Sequence, residues 1–268
     1  MKISIIMSIY NGEKYIDKAI NSILNQSYAD FELIIIDDDS NDNSLEISKS
    51  YAKKDKRIKI IKNKKNIGLT KSLNKAINIS RGEFIARQDV DDISLPNRLE
   101  KQLKFLENHP DFVFCGSDVT VKQNQYKSSK YLDFNKIKEN LIINNCFTHS
   151  TILIRKKYLS EYGLYDEKYL YGQDYELWCR LIYRYNLKAR NLSEKLVIMD
   201  IPNSRLSQKN IKFIIQHKNY IKTKIKYMKY IKNPKIMLKS FFSIIKNIIE
   251  IVYVFYFNVF RLKLKSQK

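Results

Sequence analysis

Carboxylates two residues apart in a turn can address one hard cation together. Asp89-Val90-Asp91-Asp92 offers that spacing shortly after the apolar run Phe84-Ile85-Ala86. Mg²⁺ or Mn²⁺ held this way typically bridges the protein to a ligand diphosphate. Acids at a turn also serve simply to cap helices. A phosphatase with an aspartyl nucleophile carries Asp-x-Asp too, but it wants the apolar strand directly before the first Asp, and here Arg87-Gln88 intervene. A second cluster, Asp37-Asp38-Asp39-Ser40-Asn41-Asp42, follows the run Phe31 to Ile36. Ser40 or Asp42 suits a helix N-cap. One cap does not need four carboxylates in six residues, because like charges repel unless a cation or hydrogen-bond donors meet them. A nucleobase amide and ribose hydroxyls would supply donors, and a metal would supply charge.

Both clusters need elements that bring them together. Ile3 to Ile9 is a short apolar run closed by Asn11-Gly12 and reads as a buried strand. Glu13 to Leu24 carries apolar residues at helical spacing, and Phe31 to Ile36 is a second strand. A helix over Ser44 to Ala52, a strand over Ile58 to Ile61, a helix after Asn66-Ile67-Gly68 and a strand over Glu83 to Ala86 continue the alternation. Alternation at these lengths predicts a mostly parallel sheet covered on both faces, with ligands beyond the carboxyl ends of its strands. Neither of the two commonest glycine-rich phosphate loops occurs. Further on, Leu95 to Asn108 and Asp174 to Tyr185 read as helices. Phe112 to Cys115, Thr151 to Ile154 and Leu196 to Met199 read as strands, and Lys122 to Lys130 as a polar stretch.

The formal net charge is +21, from 49 Lys and Arg against 28 Asp and Glu, and its distribution is uneven. From Asn203 to Lys268 there are 16 basic residues and one acid, Glu250, so this last quarter alone holds +15. The division predicts a body over residues 1–202 and a basic, largely helical tail over 203–268. Cys115, Cys146 and Cys179 are widely spaced and form no pair pattern, as in a reduced, cytoplasmic protein without a disulfide framework or zinc site. The N-terminus lacks the long apolar region and cleavage site of a signal peptide.

Six stretches, in order, resemble the family 2 glycosyltransferases: Ser8–Glu13, Ile36–Asp42, Asn66–Leu69, Arg81–Ala86, Gln88–Asp92 and Gln173–Trp178. The nearest likeness is to bacterial polysaccharide and lipopolysaccharide transferases, over roughly residues 2–200. The resemblance implies the GT-A fold, a nucleotide-diphospho-sugar donor that is UDP-linked, a divalent cation (Mn²⁺ or Mg²⁺) and inversion at the anomeric carbon. By the same resemblance Tyr10 lines the nucleotide pocket and Asp38 holds the base. Asp89 contacts ribose or metal, and Asp91 ligates the metal on the diphosphate. Asp174 would be the general base that deprotonates the acceptor hydroxyl. His149 either positions acceptor or phosphate or is a loop histidine, and Trp178 is expected in the core. Three positions depart from the pattern. Gln173 stands where Glu is frequent, Asp39 where Gly is usual, and Arg205 is an uncertain match for a diphosphate-binding Arg.

In the tail, Phe241 to Phe260 interrupts apolar residues with Ser243, Lys246, Asn247, Glu250 and Asn258. Its longest apolar run, Ile251 to Phe257, falls far short of the ~18 residues that span a bilayer. The pattern predicts an amphipathic helix with a wide apolar face, lying in an anionic membrane interface or packing on a partner, the plainer reading being a docked C-terminal helix with a solvated basic face. The function expected is thus transfer of a sugar to a glycan or lipid-linked glycan acceptor, at the inner face of the membrane. A sugar-nucleotide nucleotidyltransferase would want a glycine-rich, basic N-terminal loop, which Ser8 to Lys14 is not. A nucleic-acid-binding protein could use the tail's lysines and tyrosines, but its acidic strand ends would repel phosphate, so nucleic acid is not the expected partner.

Overall fold

The computed structural model describes residues 1–121, 133–199 and 211–265, with side chains as far as 256 in the last helix. The stretch 122–130 and the position of Arg205 lie outside them. The chain begins β1 (Ile3–Ile9), α1 (Glu13–Leu24), β2 (Phe31–Asp37), α2 (Ser44–Lys54), β3 (Ile58–Lys62), α3 (Leu69–Ile79) and β4 (Phe84–Arg87). Then follow β5 (Asp92–Ser94), α4 (Arg98–Asn108), β6 (Phe112–Val121), α5 (Phe134–Asn140), β7 (Leu153–Arg155), α6 (Lys156–Tyr162), α7 (Gln173–Cys179) and β8 (Lys188–Met199). Two tail helices, Ile211–Met228 and Pro234–Lys265, close the described chain.

The strands form one mixed sheet in the order β3-β2-β1-β4-β7-β6-β8-β5. Neighbours β3, β2, β1 and β4 run parallel, as does β6 with β8, while β7 is antiparallel to both β4 and β6. Helices cover both faces, so the strands are apolar on both. In β2, Ile34 and Ile36 enter one core and Leu33 and Ile35 the other. Successive side chains point to opposite faces, which is why an unbroken isoleucine run is needed here.

From β1 the chain moves outward to β2 and β3, then returns through α3 to β4 on the other side of β1. The crevice where this direction reverses lies beyond the carboxyl ends of β1 and β4, the usual ligand position in such sheets. Register aligns these ends: Ile9 pairs with Asp37, and Ile6 with Arg87.

Several elements differ from the sequence expectation. Helix α4 begins at Arg98 rather than Leu95, because Leu95 and Pro96 form the preceding turn, where Leu95 N–H bonds to the Leu196 carbonyl. Helix α7 stops being α-helical at Cys179 and continues as a π-helical turn over Arg180–Arg184. Strand β8 starts at Lys188, eight residues before the apolar run that signalled it.

Candidate active site

Two loops at the carboxyl edge of the sheet are joined by side chains. Asn11 N–H donates to Ser40 Oγ (3.1 Å), and Asn41 N–H returns a bond to Asn11 Oδ1 (2.8 Å). Gly12 N–H donates to Ser44 Oγ (2.8 Å) and Glu13 N–H to Asp42 Oδ2 (3.0 Å). Asn11 and Asp39 take left-handed conformations, at φ +53° and +65°. A short polar side chain tolerates that region, and glycine enters it freely. Asp39 therefore keeps the turn that Gly would make. A Cβ on Gly12 would lie 2.9 Å from the Val90 side chain, so the β1–α1 loop passes directly against the Gln88–Asp92 loop. Tyr10 is 51% exposed at the end of β1.

Asp38 is buried, and its carboxylate holds the turn before α3. Oδ1 accepts from Asn63 Nδ2 (2.8 Å) and Ile67 N–H (2.9 Å), and Oδ2 from Gly68 N–H (2.8 Å). With two acceptor sites per oxygen, Oδ2 keeps one for a ligand donor. Its neighbour Asp37 is fully buried, and Oδ1 there has no hydrogen-bond partner.

The Asp89–Asp92 loop is clamped from beneath by groups the sequence reading did not single out. Gln88 Nε2 donates to the carbonyls of Asp89 (2.9 Å) and Asp92 (2.7 Å), while its Oε1 accepts from Ser94 Oγ (2.7 Å). Arg98, wholly buried, reaches Ser94 Oγ (2.8 Å), Gln102 Oε1 (3.1 Å) and the Arg87 carbonyl (2.7 Å). Arg87 is a second buried guanidinium, and it pairs with Asp89 Oδ1. Asp92 is 3% exposed and its Oδ2 has no partner. Burial, with Asp89 beside it, pushes the Asp92 carboxyl up to about 7. The Ser150 hydroxyl acts to lower it, and the crowding of Asp89, Asp91 and Asp92 carboxylates in one loop fits a divalent cation. Among the described residues no group of three or more His, Cys, Asp or Glu side chains forms a complete metal cage. Mg²⁺-type sites need none, since one or two carboxylates and substrate phosphates suffice.

Across the crevice, α7 presents Asp174 in its first turn, and Asp174 Oδ2 accepts from Asn145 Nδ2 (2.9 Å). Between the two sides stands His149, whose Nε2 meets the Tyr165 hydroxyl at 2.8 Å. Burial and then the Arg87 charge hold His149 down to about 4, while Asp174 and Asp89 both act to raise it. The ring is therefore neutral at pH 7 and lies within the field of both carboxylate groups. Asp89 and Asp174 thus both lie near enough to act on the charge of His149, Asp91 lies in the same loop as Asp89, and Tyr10 and Asp38 lie along the neighbouring loops. Trp178 is fully buried against Phe114 (ring centroids 4.6 Å) and belongs to the core.

The tail reaches this site. Glu176, fully buried on α7, accepts from the Tyr227 hydroxyl (2.7 Å) and Lys226 Nζ (2.9 Å) of the first tail helix, and lies 3.3 Å from Arg180. Asn219 Nδ2 donates to the Tyr171 carbonyl (2.8 Å). Gly172, at φ +74°, leaves room for Tyr220, whose ring a Cβ would approach to 2.8 Å. Tyr227 and Ile231 belong to the hydrophobic core that also holds Trp178.

Solved structures share this arrangement of sheet and helices. S. aureus TarS 1–349 in complex with UDP-GlcNAc superposes with a TM-score of 0.70 at 18% identity, covering 93% of this chain and 72% of that one. The mannosyltransferase PcManGT of Pyrobaculum calidifontis, in complex with GDP-Man and Mn²⁺, gives 0.71 at 16% identity, covering 94% and 72%. The fold is thus the GT-A type of glycosyltransferases. Sequence carries the assignment further. The family model "Glycosyl transferase family 2" matches residues 4–163, and the chain belongs to that family. An uncharacterised glycosyltransferase of Methanocaldococcus jannaschii is 38% identical over 252 residues, covering 90% of this chain and 85% of that protein. The O-antigen biosynthesis glycosyltransferase WbnJ of Escherichia coli is 38% identical over 208 residues, covering 75% and 80%. The E. coli UDP-Glc:alpha-D-GlcNAc-diphosphoundecaprenol beta-1,3-glucosyltransferase WfgD is 33% identical over 195 residues, covering 70% and 73%.

Proposed function

We propose that this glycosyltransferase moves a sugar, with inversion, from a UDP-sugar to a hydroxyl of a lipid-linked glycan in cell-surface polysaccharide biosynthesis. The observation that carries this reading is the carboxylate loop Asp89–Asp92 beyond β4 together with Asp174, which Asn145 fixes, Asp89 and Asp174 both acting on His149. The names of WbnJ and WfgD, and the UDP-GlcNAc bound by TarS, support the donor and acceptor classes.

In this reading Asp174 takes the proton of the acceptor hydroxyl as that oxygen attacks the anomeric carbon. The bond from that carbon to the diphosphate oxygen breaks on the opposite face, and nucleoside diphosphate leaves. Asn145 fixes the Asp174 carboxylate while leaving its other oxygen for the hydroxyl. Tyr10 and the remaining acceptor site of Asp38 serve the nucleotide, and Asp89, oriented by Arg87, serves ribose or metal. His149, neutral and fixed by Tyr165, positions acceptor or phosphate. Asp91 would hold Mn²⁺ or Mg²⁺ there, and the cation would neutralise charge on the departing diphosphate. The Mn²⁺ complex of the mannosyltransferase supports a divalent cation.

The tail gives the proposed place of work. In the second tail helix Ser240, Ser243, Ile244, Asn247 and Val254 are buried, while Leu238, Phe241, Phe242, Ile248, Ile249, Phe255 and Tyr256 are exposed. This outward apolar face is bordered by exposed Lys232, Lys235 and Lys239. It suits the interface of an anionic membrane, at the cytoplasmic side where nucleotide-sugars are used. No helix among the described residues is long and apolar enough to cross a membrane. Residues 1–202 would then be the transferase domain and 203–268 its membrane-associated region. Binding of UDP-, GDP- and dTDP-sugars to the full chain, with Mn²⁺ and with EDTA, tests the reading. A UDP-sugar is expected to bind best and to need the metal, whereas metal-independent binding or no preference would contradict it.

A further inference from the structure

A polar cleft of about 190 Å³ lies where both tail helices meet the 143–145 segment, and its lining includes Asn145, Lys224, Lys246, Asn247 and Glu250. Lys224 is 2% exposed, yet its ammonium donates only to neutral oxygens, Ser243 Oγ and Asn247 Oδ1, each at 2.7 Å. Among the described residues no carboxylate comes within ion-pair distance of it, and an ammonium carries three donors. Glu250, the one acid lining the cleft, is engaged by His217 Nε2 at 2.9 Å and Asn247 Nδ2 at 3.4 Å. Lys246 adds a second, exposed positive charge. A buried charge is costly unless paired, so this one asks for an anion.

The second tail helix explains how the cleft is made. Its inward side carries Ser240, Ser243 and Asn247 together with Ile244 and Val254, while Phe241, Phe242, Ile248 and Ile249 face outward. Ile236, Ile244 and Val254 dock the helix, and the buried Ser243 and Asn247 among them meet Lys224 and form one wall of the cleft. On the cleft's other wall, Asn145 bonds directly to Asp174. At roughly 30 Å³ per water, the space admits several waters or a phosphate group.

We infer that this cleft binds a phosphate group, that of the acceptor's link to its lipid, through Lys224 and Lys246. Calling the phosphate the acceptor's rests on the transferase reading above, while the anion site itself does not. The sugar carried on such a phosphate would lie toward Asp174, and the outward apolar face would keep the lipid beside the cleft.

The test uses inorganic pyrophosphate, titrated by calorimetry into the full-length protein in EDTA, which by the reading above removes the metal that the donor pocket needs to hold a diphosphate. Lys246→Glu, at an exposed position, and Lys224→Gln should each weaken pyrophosphate at least about tenfold. If Lys224→Gln does not fold, Lys246→Glu alone decides. Phosphatidylglycerol vesicles should leave pyrophosphate bound. Undiminished affinity in the variants, or no binding to the wild type, overturns the site. Displacement by the vesicles overturns the acceptor assignment and gives the phosphate to a membrane headgroup. Pyrophosphate binding that survives while no nucleotide-sugar is used would instead remove the transferase reading and leave the cleft.

Discussion

The strand-end loops and the tail solve opposite problems of burial. In the loops, acids are drawn inward and met by the chain's own donors: Asp38 by Ile67 and Gly68 N–H groups, Asp89 by Arg87. What remains unmet, at Asp37 Oδ1 and Asp92 Oδ2, is negative. In the tail, Lys224, Ser240, Ser243 and Asn247 are drawn inward beside Tyr227, Ile231, Ile244 and Val254, while Phe241, Phe242, Ile248 and Ile249 are turned outward. In our proposal one region takes a cation and hydrogen-bond donors, the other an anion and a nonpolar surrounding. The total charge of +21 hides this, because it averages two regions of different purpose.

The largest effect that separates them should come from Asp91→Asn. Turnover should fall by about 10³-fold, as it should for wild type in EDTA, while vesicle binding stays unchanged. Loss of vesicle binding with turnover intact would reverse the assignment of the two regions. Glu176→Gln comes next, since it breaks the buried link between α7 and the first tail helix. Unfolding by denaturant should show a loss of about 3 kcal/mol, because Arg180 and Lys226 lose their shared partner. A change near zero would mean the tail is held by apolar contacts alone.

Smaller effects test the outward face. Phe242→Ser and Ile249→Ser should each weaken partition to phosphatidylglycerol vesicles by about 2 kcal/mol, with melting temperature unchanged. Unchanged partition would place the membrane contact elsewhere. The smallest expected effect is acid sensitivity at His149. Its folded value of about 4 lies below the ordinary 6.5, so between these values the unfolded chain binds more protons. His149 therefore costs stability as pH falls from about 6.5 toward 4. Asp92, raised to about 7, acts in the opposite sense, so the difference between wild type and His149→Gln is the quantity to follow. The variant should lose less stability than wild type over that window, and equal losses would show that His149 titrates normally.

How much of this was legible depends on length and on company. Helices α1 and α3 and strand β2 announce themselves because each is long enough to repeat its period, and Asp37 and Asp38 stand out against the isoleucines before them. Strand β5, with three residues, and helices α5 and α6, with seven each, are too short to show a period. The first half of β8 is hidden because only Ala189 and Asn191 of its early residues are buried, and its pairing with β6 is broken by irregular register. Within the site, Tyr10, Asp38, Asp89 and Asp91 follow the carboxyl ends of β1, β2 and β4, and Asp89 and Asp174 both act on His149. Arg87 was visible at the strand end but reads as the strand's polar limit rather than as a buried charge. Asn145 stands 29 residues from Asp174, and no spacing connects them. Lys224 is one of 16 basic residues in the tail, and only burial distinguishes it.

The central claim is that Asp174 removes the acceptor's proton at a site built by the loops of the body and supported by the tail. The most direct measurement is the initial rate of UDP release from the UDP-sugar that binds best, with Mn²⁺, for wild type and Asp174→Asn at equal folded concentration. Water is the acceptor in this slow hydrolysis. The variant should bind the donor as wild type does and release UDP at least about 10²-fold more slowly. An undiminished rate in Asp174→Asn would contradict the account.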